Sequence, residues 1–327
     1  MREIAYWQAI NEALEEEMRR DKTVFVMGED VAIYGGAYGV TRGLMEKFGE
    51  ERVRDTAISE AAIVGAGIGA AVAGMRPVVE IMYVDFMGIV MDQLNNQAAK
   101  LRYMFGGKCK VPMVIRTEGG AGRTLGAHHS QSLESWFIHI PGIKVVMPST
   151  PHDAKGLLKS SIRDDNPVVF IEHKLLYGTK GPVGDGDYTI PIGVADVKKE
   201  GTDLTLITYS RMTLYALEAA KKLEAEGIRA EVLDLRSLLP MDVEALVRSI
   251  RKTHRAVVVE EDCLTGGAGA EISALIMEHA FDWLDHPVVR LAGADVPMPK
   301  SHVLEALAIP SVASIIATAR RVVGRES

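Results

Sequence analysis

Residues 59–74 carry one charge, Glu60, ahead of fourteen residues drawn only from Ala, Gly, Val and Ile. The run is long enough for a helix and apolar on every side, so it belongs between layers of a protein interior rather than on a surface. Ser59 is suited to cap that helix, which leaves Glu60 in the first turn, where backbone N–H groups and the helix dipole favour an anion. A carboxyl group at the rim of an apolar interior has its neutral form favoured and becomes a proton donor near neutral pH. A first-turn acid also serves simply to complement the dipole. Pattern alone leaves both readings open.

Around this segment, short β-branched runs alternate with helical patterns. Strands are expected at 24–27, 77–82, 111–116, 144–147 and 168–172. Helices are expected at 6–20, 59–74 and 86–104, and from Ser149-Thr150-Pro151, a capping residue followed by a first-turn proline. The alternation implies parallel pairing and a doubly wound α/β sheet. It fails from Tyr177 to about Gly201, where Gly178, Gly181, Pro182, Gly184, Gly186 and Pro191 cluster. It then resumes with strands at 204–208, 230–235, 256–260 and 288–291 and helices at 213–226, 242–253, 268–279 and from 312. A length of 327 residues suits two domains. The division read from the sequence is 1–185, a linker at 186–200, and 201–327.

The net charge of −7 argues against a nucleic-acid partner, which would call for a basic face. The longest apolar stretch, 61–75, is too short and Gly-rich to span a bilayer, so no membrane is expected. Arg2 and Glu3 lead directly into a helical pattern with no targeting signal. Cys109 and Cys263 cannot build a disulfide framework and fit a reducing compartment, so the cytoplasm is the expected address.

Several motifs look chemical. Gly65-Ala66-Gly67-Ile68-Gly69-Ala70 has the letters of a dinucleotide fingerprint, but its glycines fall inside the helix instead of in the turn before it. Thr265-Gly266-Gly267-Ala268-Gly269 stands between strand and helix, with no basic residue nearby, and reads as a tight turn. His128, His129 and His139 lack Cys, Asp or Glu at ligand spacing. The polar loop 116–142 carries more weight, because long loops leaving a parallel strand overhang the ligand crevice. A histidine there either shuttles protons near neutral pH or pins the loop.

Three blocks then align with one family. Gly28-Glu29-Asp30-Val31, the segment from Asp55 to Glu60 with its Gly/Ala helix and Arg76-Pro77, and His129-Ser130-Gln131-Ser132 closely resemble the beta subunit of thiamine-diphosphate-dependent 2-oxo acid dehydrogenases. Gln97-Ala98-Ala99-Lys100, the run from Arg163 to Val169 and Gly293-Ala294-Asp295-Val296-Pro297-Met298-Pro299 extend the likeness over nearly the whole chain. The resemblance implies an N-terminal thiamine-diphosphate pyrimidine-binding domain and a C-terminal transketolase-type domain. It implies a heterotetramer of two alpha and two beta subunits, active only when both are present, with diphosphate and Mg2+ on alpha and the aminopyrimidine on beta.

Under that resemblance Glu60 is the cofactor-activating acid, which hydrogen-bonds the ring nitrogen. Met82 and Phe86 pack against the pyrimidine, and His129 steers protons during decarboxylation or acyl transfer to a lipoyl group. A structural potassium ion falls at Met113, Ser161, Ile162, Asp164 and Asn166, held largely by backbone carbonyls. Gly184-Asp185-Gly186 is not the family's magnesium motif, because no asparagine follows Asn166 in the chain.

The implied activity is that of a pyruvate dehydrogenase-type subunit handing its acyl group to a lipoyl-bearing acyltransferase. The run from Glu172 to Tyr177 looks closer to acetoin dehydrogenase beta subunits, and branched-chain 2-oxo acids come third. Two other classes remain. A self-sufficient transketolase-like enzyme would bind cofactor and metal without a partner, and a non-catalytic docking subunit would tolerate the change Glu60→Gln.

Overall fold

The computed structural model describes residues 1–325, which fall into two compact units: 1–119 with 136–192, and 120–135 with 193 onward.

In the first unit, β1 (Arg2–Ala5) leads into α1 (Tyr6–Arg20), whose buried Tyr6, Ile10, Ala13, Leu14 and Met18 repeat at helical spacing. Then follow β2 (Val24–Gly28), α2 (Leu44–Phe48), β3 (Val53–Asp55), α3 (Glu60–Val72) and β4 (Arg76–Ile81). After α4 (Ala99–Met104) come β5 (Val114–Gly119), α5 (Glu134–Ile138), β6 (Lys144–Val146), α6 (Pro151–Arg163), β7 (Val168–His173) and β8 (Lys180–Val183). Thr150 caps α6 by accepting the Asp153 amide, as its sequence predicts.

Parallel strands run in the order β6-β7-β5-β4-β2-β3. The chain leaves β2 for the edge strand β3 and returns to β4 on the other side of β2, which makes a topological switch point at the carboxyl ends of β2 and β4. Every residue of β2, β5 and β7 is buried, as parallel strands covered on both faces require.

The second unit contains β9 (Asp196–Lys199), β10 (Leu204–Thr208), α7 (Arg211–Glu224), β11 (Ala230–Asp234), β12 (Ser237–Leu239) and α8 (Val243–Thr253). It continues with β13 (Ala256–Cys263), α9 (Ala268–Ala280), β14 (Val289–Gly293), α10 (His302–Ala308) and α11 (Val312–Val322). Its five-stranded sheet has the order β14-β13-β10-β11-β9 and is parallel except for β9.

Four expectations change. The helix expected at 86–104 is instead a 3-10 turn over Val84–Val90, a π turn over Asp92–Ala98 and then α4. The Gly/Pro-rich stretch holds β8, paired antiparallel with β1, and β9, paired with β11, so 186–200 is not free of structure. The two units divide at Ile192, and loop residues 120–135 group with the second. Finally, Ser59 makes no side-chain cap, and α3 is covered on one side only: Ile63, Val64, Gly67, Ile68 and Ala71 are buried while Ala62, Ala66, Gly69 and Val72 are exposed.

Candidate active site

The switch point of the first unit gathers the residues that the family pattern singles out. At the end of β2, a Cβ on Gly28 would lie 2.8 Å from the Glu80 carbonyl, so only glycine lets the strand end that close to β4. Asp30 then turns left-handed, and the Asp55 carboxylate holds the turn by accepting the Ala32 amide at 2.6 Å. Asp55 thus does structural work, and the carboxylate that remains at the mouth is Glu60, the first residue of α3 and 8% exposed. The half-buried Glu29 stands beside it: burial raises the Glu29 carboxyl pKa, and the Glu60 charge adds to the effect. Glu29 enters the sequence reading only as part of a motif. The signal available was a carboxylate immediately after a buried strand.

Met82 and Phe86 follow β4 at the same edge, both half-buried, with Phe86 edge-on to Tyr83 at 5.8 Å. Partly uncovered apolar side chains at the same sheet edge as a nearly buried carboxylate suit a flat heterocycle that needs an apolar seat and one directed hydrogen bond. The glycines of the apparent fingerprint have a different use. A Cβ on Gly67 would lie 2.6 Å from Val79 Cγ2, so this residue lets α3 lie close against β4.

Behind the mouth is a buried polar group that the sequence reading missed. Arg116 is held by Glu172 at 2.6 and 2.8 Å and by Glu80 at 2.6 Å. The Tyr38 hydroxyl donates to Glu118 at 3.1 Å, and Lys174 Nζ lies 3.7 Å from the other Glu118 oxygen. The signal was present in charged residues inside otherwise apolar strands.

His129 belongs to the second unit. It is half-buried, and its amide donates to the Gly126 carbonyl at 3.3 Å. The loop borders a cavity of ≈ 530 Å³ lined in part by Ser130, Gln131, Cys263, Asp295 and Met298. Where the loop ends, the Tyr209 hydroxyl stands 3.0 Å from Glu134 and 3.1 Å from Glu260. One hydroxyl proton cannot serve two carboxylates, which agrees with burial raising both acids, Glu260 to about 7. At the Gly-rich turn 265–269, the Gly269 amide is taken by Glu260 at 2.7 Å, and Thr265 is bound to Asp295. The turn therefore spends its donors on the protein's own acids.

Met113, Ser161, Ile162, Asp164 and Asn166 come together at the opposite, amino-terminal edge of the first sheet, before β5 and β7. Arg76 donates to the Ile162 and Asp164 carbonyls at 3.0 and 2.9 Å, and the Asp164 side chain is bound by Lys144 and Asn166.

Residues 2–180 match the transketolase pyrimidine binding domain and residues 193–315 the transketolase C-terminal domain. Two such domains in this order define the transketolase class of α/β protein. A solved split-gene transketolase, described as an inactive beta4 tetramer, superposes with a TM-score of 0.81 at 25% identity and covers 99% of both chains. The mitochondrial pyruvate dehydrogenase E1 component subunit beta of Dictyostelium discoideum is 48% identical over 328 residues, 99% of this chain and 92% of that one. The acetoin:2,6-dichlorophenolindophenol oxidoreductase subunit beta of Cupriavidus necator is 48% identical over 330 residues, 98% of this chain and 97% of that one. The chain belongs to the family of E1-type beta subunits that these relatives represent.

Proposed function

We propose that the chain is the beta half of a pyruvate dehydrogenase-type enzyme. That enzyme decarboxylates a 2-oxo acid, pyruvate first, and passes the acyl group to a lipoyl-bearing acyltransferase. The observation that carries the reading is the placement of Glu60, nearly buried at the start of α3 and at the switch point of a parallel sheet. Bound thiamine diphosphate would supply the carbon nucleophile and the electron sink for loss of CO2. Glu60 would hydrogen-bond the aminopyrimidine nitrogen, Met82 and Phe86 would seat the ring, and His129 would steer protons during decarboxylation or acyl transfer.

The diphosphate and Mg2+ are assigned to an alpha subunit of a heterotetramer. Gly184-Asp185-Gly186 is a poor metal motif, since the exposed Asp185 carboxylate faces the Arg2 guanidinium at 3.8 Å. A potassium ion is proposed at the 161–166 turn. Each carbonyl that accepts from Arg76 keeps a second lone pair for a hard cation. Exchanging potassium for sodium should lower the melting temperature; equal stability in both salts removes the ion. The cytoplasm is proposed from the two free cysteines, although the Dictyostelium relative is named as mitochondrial, and cell fractionation decides between them.

The test is steady-state turnover by the co-expressed alpha–beta pair on pyruvate, acetoin and 3-methyl-2-oxobutanoate. Absence of pyruvate turnover would hand the reading to acetoin cleavage, which the Cupriavidus relative favours. For Glu60→Gln, kcat should fall by about 10²–10⁴-fold with the cofactor still bound in calorimetry. Retained turnover would instead indicate a docking subunit.

A further inference from the structure

The segment that carries His129 closes on itself through the Gly120 amide and the Gln131 carbonyl, 2.9 Å apart. Between those ends the backbone is left-handed at Gly120, Gly122, Thr124 and Gly126. Glycine reaches that region freely, but Thr124, at φ 53°, is β-branched and holds it only where its surroundings enforce it.

The enforcing group is Glu305, on α10 of the same unit and 3% exposed. Its Oε1 accepts the Gly122 amide at 2.8 Å, and its two oxygens accept the Thr124 amide at 3.2 and 3.1 Å. Beside it, Glu261 accepts the Ala121 amide at 2.5 Å, and Arg211 reaches the Ala121 carbonyl at 3.3 Å. Hydrogen bonds from backbone amides to an ionised carboxylate are among the stronger ones. The stem of the loop is therefore tied to the second unit by side chains that are remote from it in sequence.

We propose that Glu305 is a positioning residue for His129: by fixing the Gly122–Thr124 segment it sets the path of the loop and hence the imidazole it presents. The inference rests on the reading of His129 as the proton-handling group. An amide cannot fully replace the carboxylate, because glutamine has one acceptor oxygen and would point an NH2 group at a backbone donor.

The test uses the co-expressed alpha–beta enzyme carrying E305A, E305Q, H129A or the double change E305A/H129A. Hydrogen exchange read by mass spectrometry should quicken by about tenfold in a peptide covering 120–126 of E305A, with β10 and β13 unchanged. Unchanged exchange in 120–126 overturns the proposal. Acyl transfer by E305A should lose about 10–100-fold in kcat, and KM for the 2-oxo acid should stay within about twofold. E305Q should fall between E305A and the unaltered enzyme, and it supplies the same exchange and rate comparisons if E305A does not fold.

The double variant should be no slower than H129A alone, since a group acting through the imidazole has nothing left to position once that ring is gone. Losses that multiply overturn the proposal. If H129A alone leaves acyl transfer intact, the reading of His129 fails, while the exchange result still decides whether Glu305 holds the loop.

Discussion

At Glu118 burial outweighs pairing. Lys174 Nζ at 3.7 Å and the Tyr38 hydroxyl at 3.1 Å both favour the carboxylate, yet removal from water pushes the acid up to about 8. The folded chain therefore keeps a proton that the unfolded chain, with an ordinary acid near 4.3, releases. Stability present below the unfolded value is lost as pH rises through the folded one, so the window is about 4.3 to 8. Glu118→Gln removes the titration while keeping the shape. The variant should gain on the unaltered chain by at most about 1.4 kcal/mol per pH unit across that window. Thermal unfolding at pH 5, 6.5 and 8 measures it, and a constant difference between the two chains would show that Glu118 does not titrate there. Glu60 was legible because it is the single charge at the head of an apolar run. Arg116, Glu80 and Glu172 were not, since their partnership spans 36 and 56 residues and no local pattern encodes strand order.

Among the elements, α3 against β4 shows how a glycine is read in two ways. The helix was legible from composition, but which of its glycines faces the sheet depends on rotation about its axis, and an apolar run gives no amphipathic stripe to set that. In the structure Gly67 faces β4, where an added methyl would meet Val79 Cγ2 at 2.6 Å and Met113 Cε at 3.3 Å. Val79 is buried and stiff at χ1. Gly67→Ala should therefore cost about 1–3 kcal/mol of overpacking, more than the roughly 1 kcal/mol that alanine returns in helix propensity. The melting temperature should fall by a few degrees; a rise would mean that α3 stands farther from the sheet. The 86–104 region shows the opposite failure. Buried Met87, Val90, Leu94 and Ala98 keep a helical spacing of three or four, so periodicity reads one helix. The shift of hydrogen-bond register from 3-10 to π leaves that spacing intact and cannot be seen in it. The strands β8 and β9 were hidden for a third reason. Their Gly/Pro-rich surroundings match a linker, and their partners β1 and β11 lie far off in sequence.

For the molecule as a whole, the informative surface is the one the chain leaves bare. Ala62, Ala66, Gly69 and Val72 form an apolar stripe along α3 that faces away from β4, and a Cβ on Gly69 would meet no neighbouring atom. The sequence argument that this helix must be covered on both sides stands on the cost of exposing such a face. The fold supplies one cover, and the proposed alpha–beta assembly offers the second. Small residues allow a partner helix to approach near the lower end of the usual interaxial range of about 8–10 Å. Gly69→Leu separates folding from assembly. Leucine is a better helix former than glycine and projects into open space in the single chain, so its melting temperature should hold or rise. In the co-expressed pair the same side chain would occupy the room a partner needs. Analytical ultracentrifugation should then show the alpha–beta assembly replaced by separate subunits, with activity lost in proportion. Undiminished assembly would place the seam elsewhere and leave the exposure of this stripe without a partner to explain it.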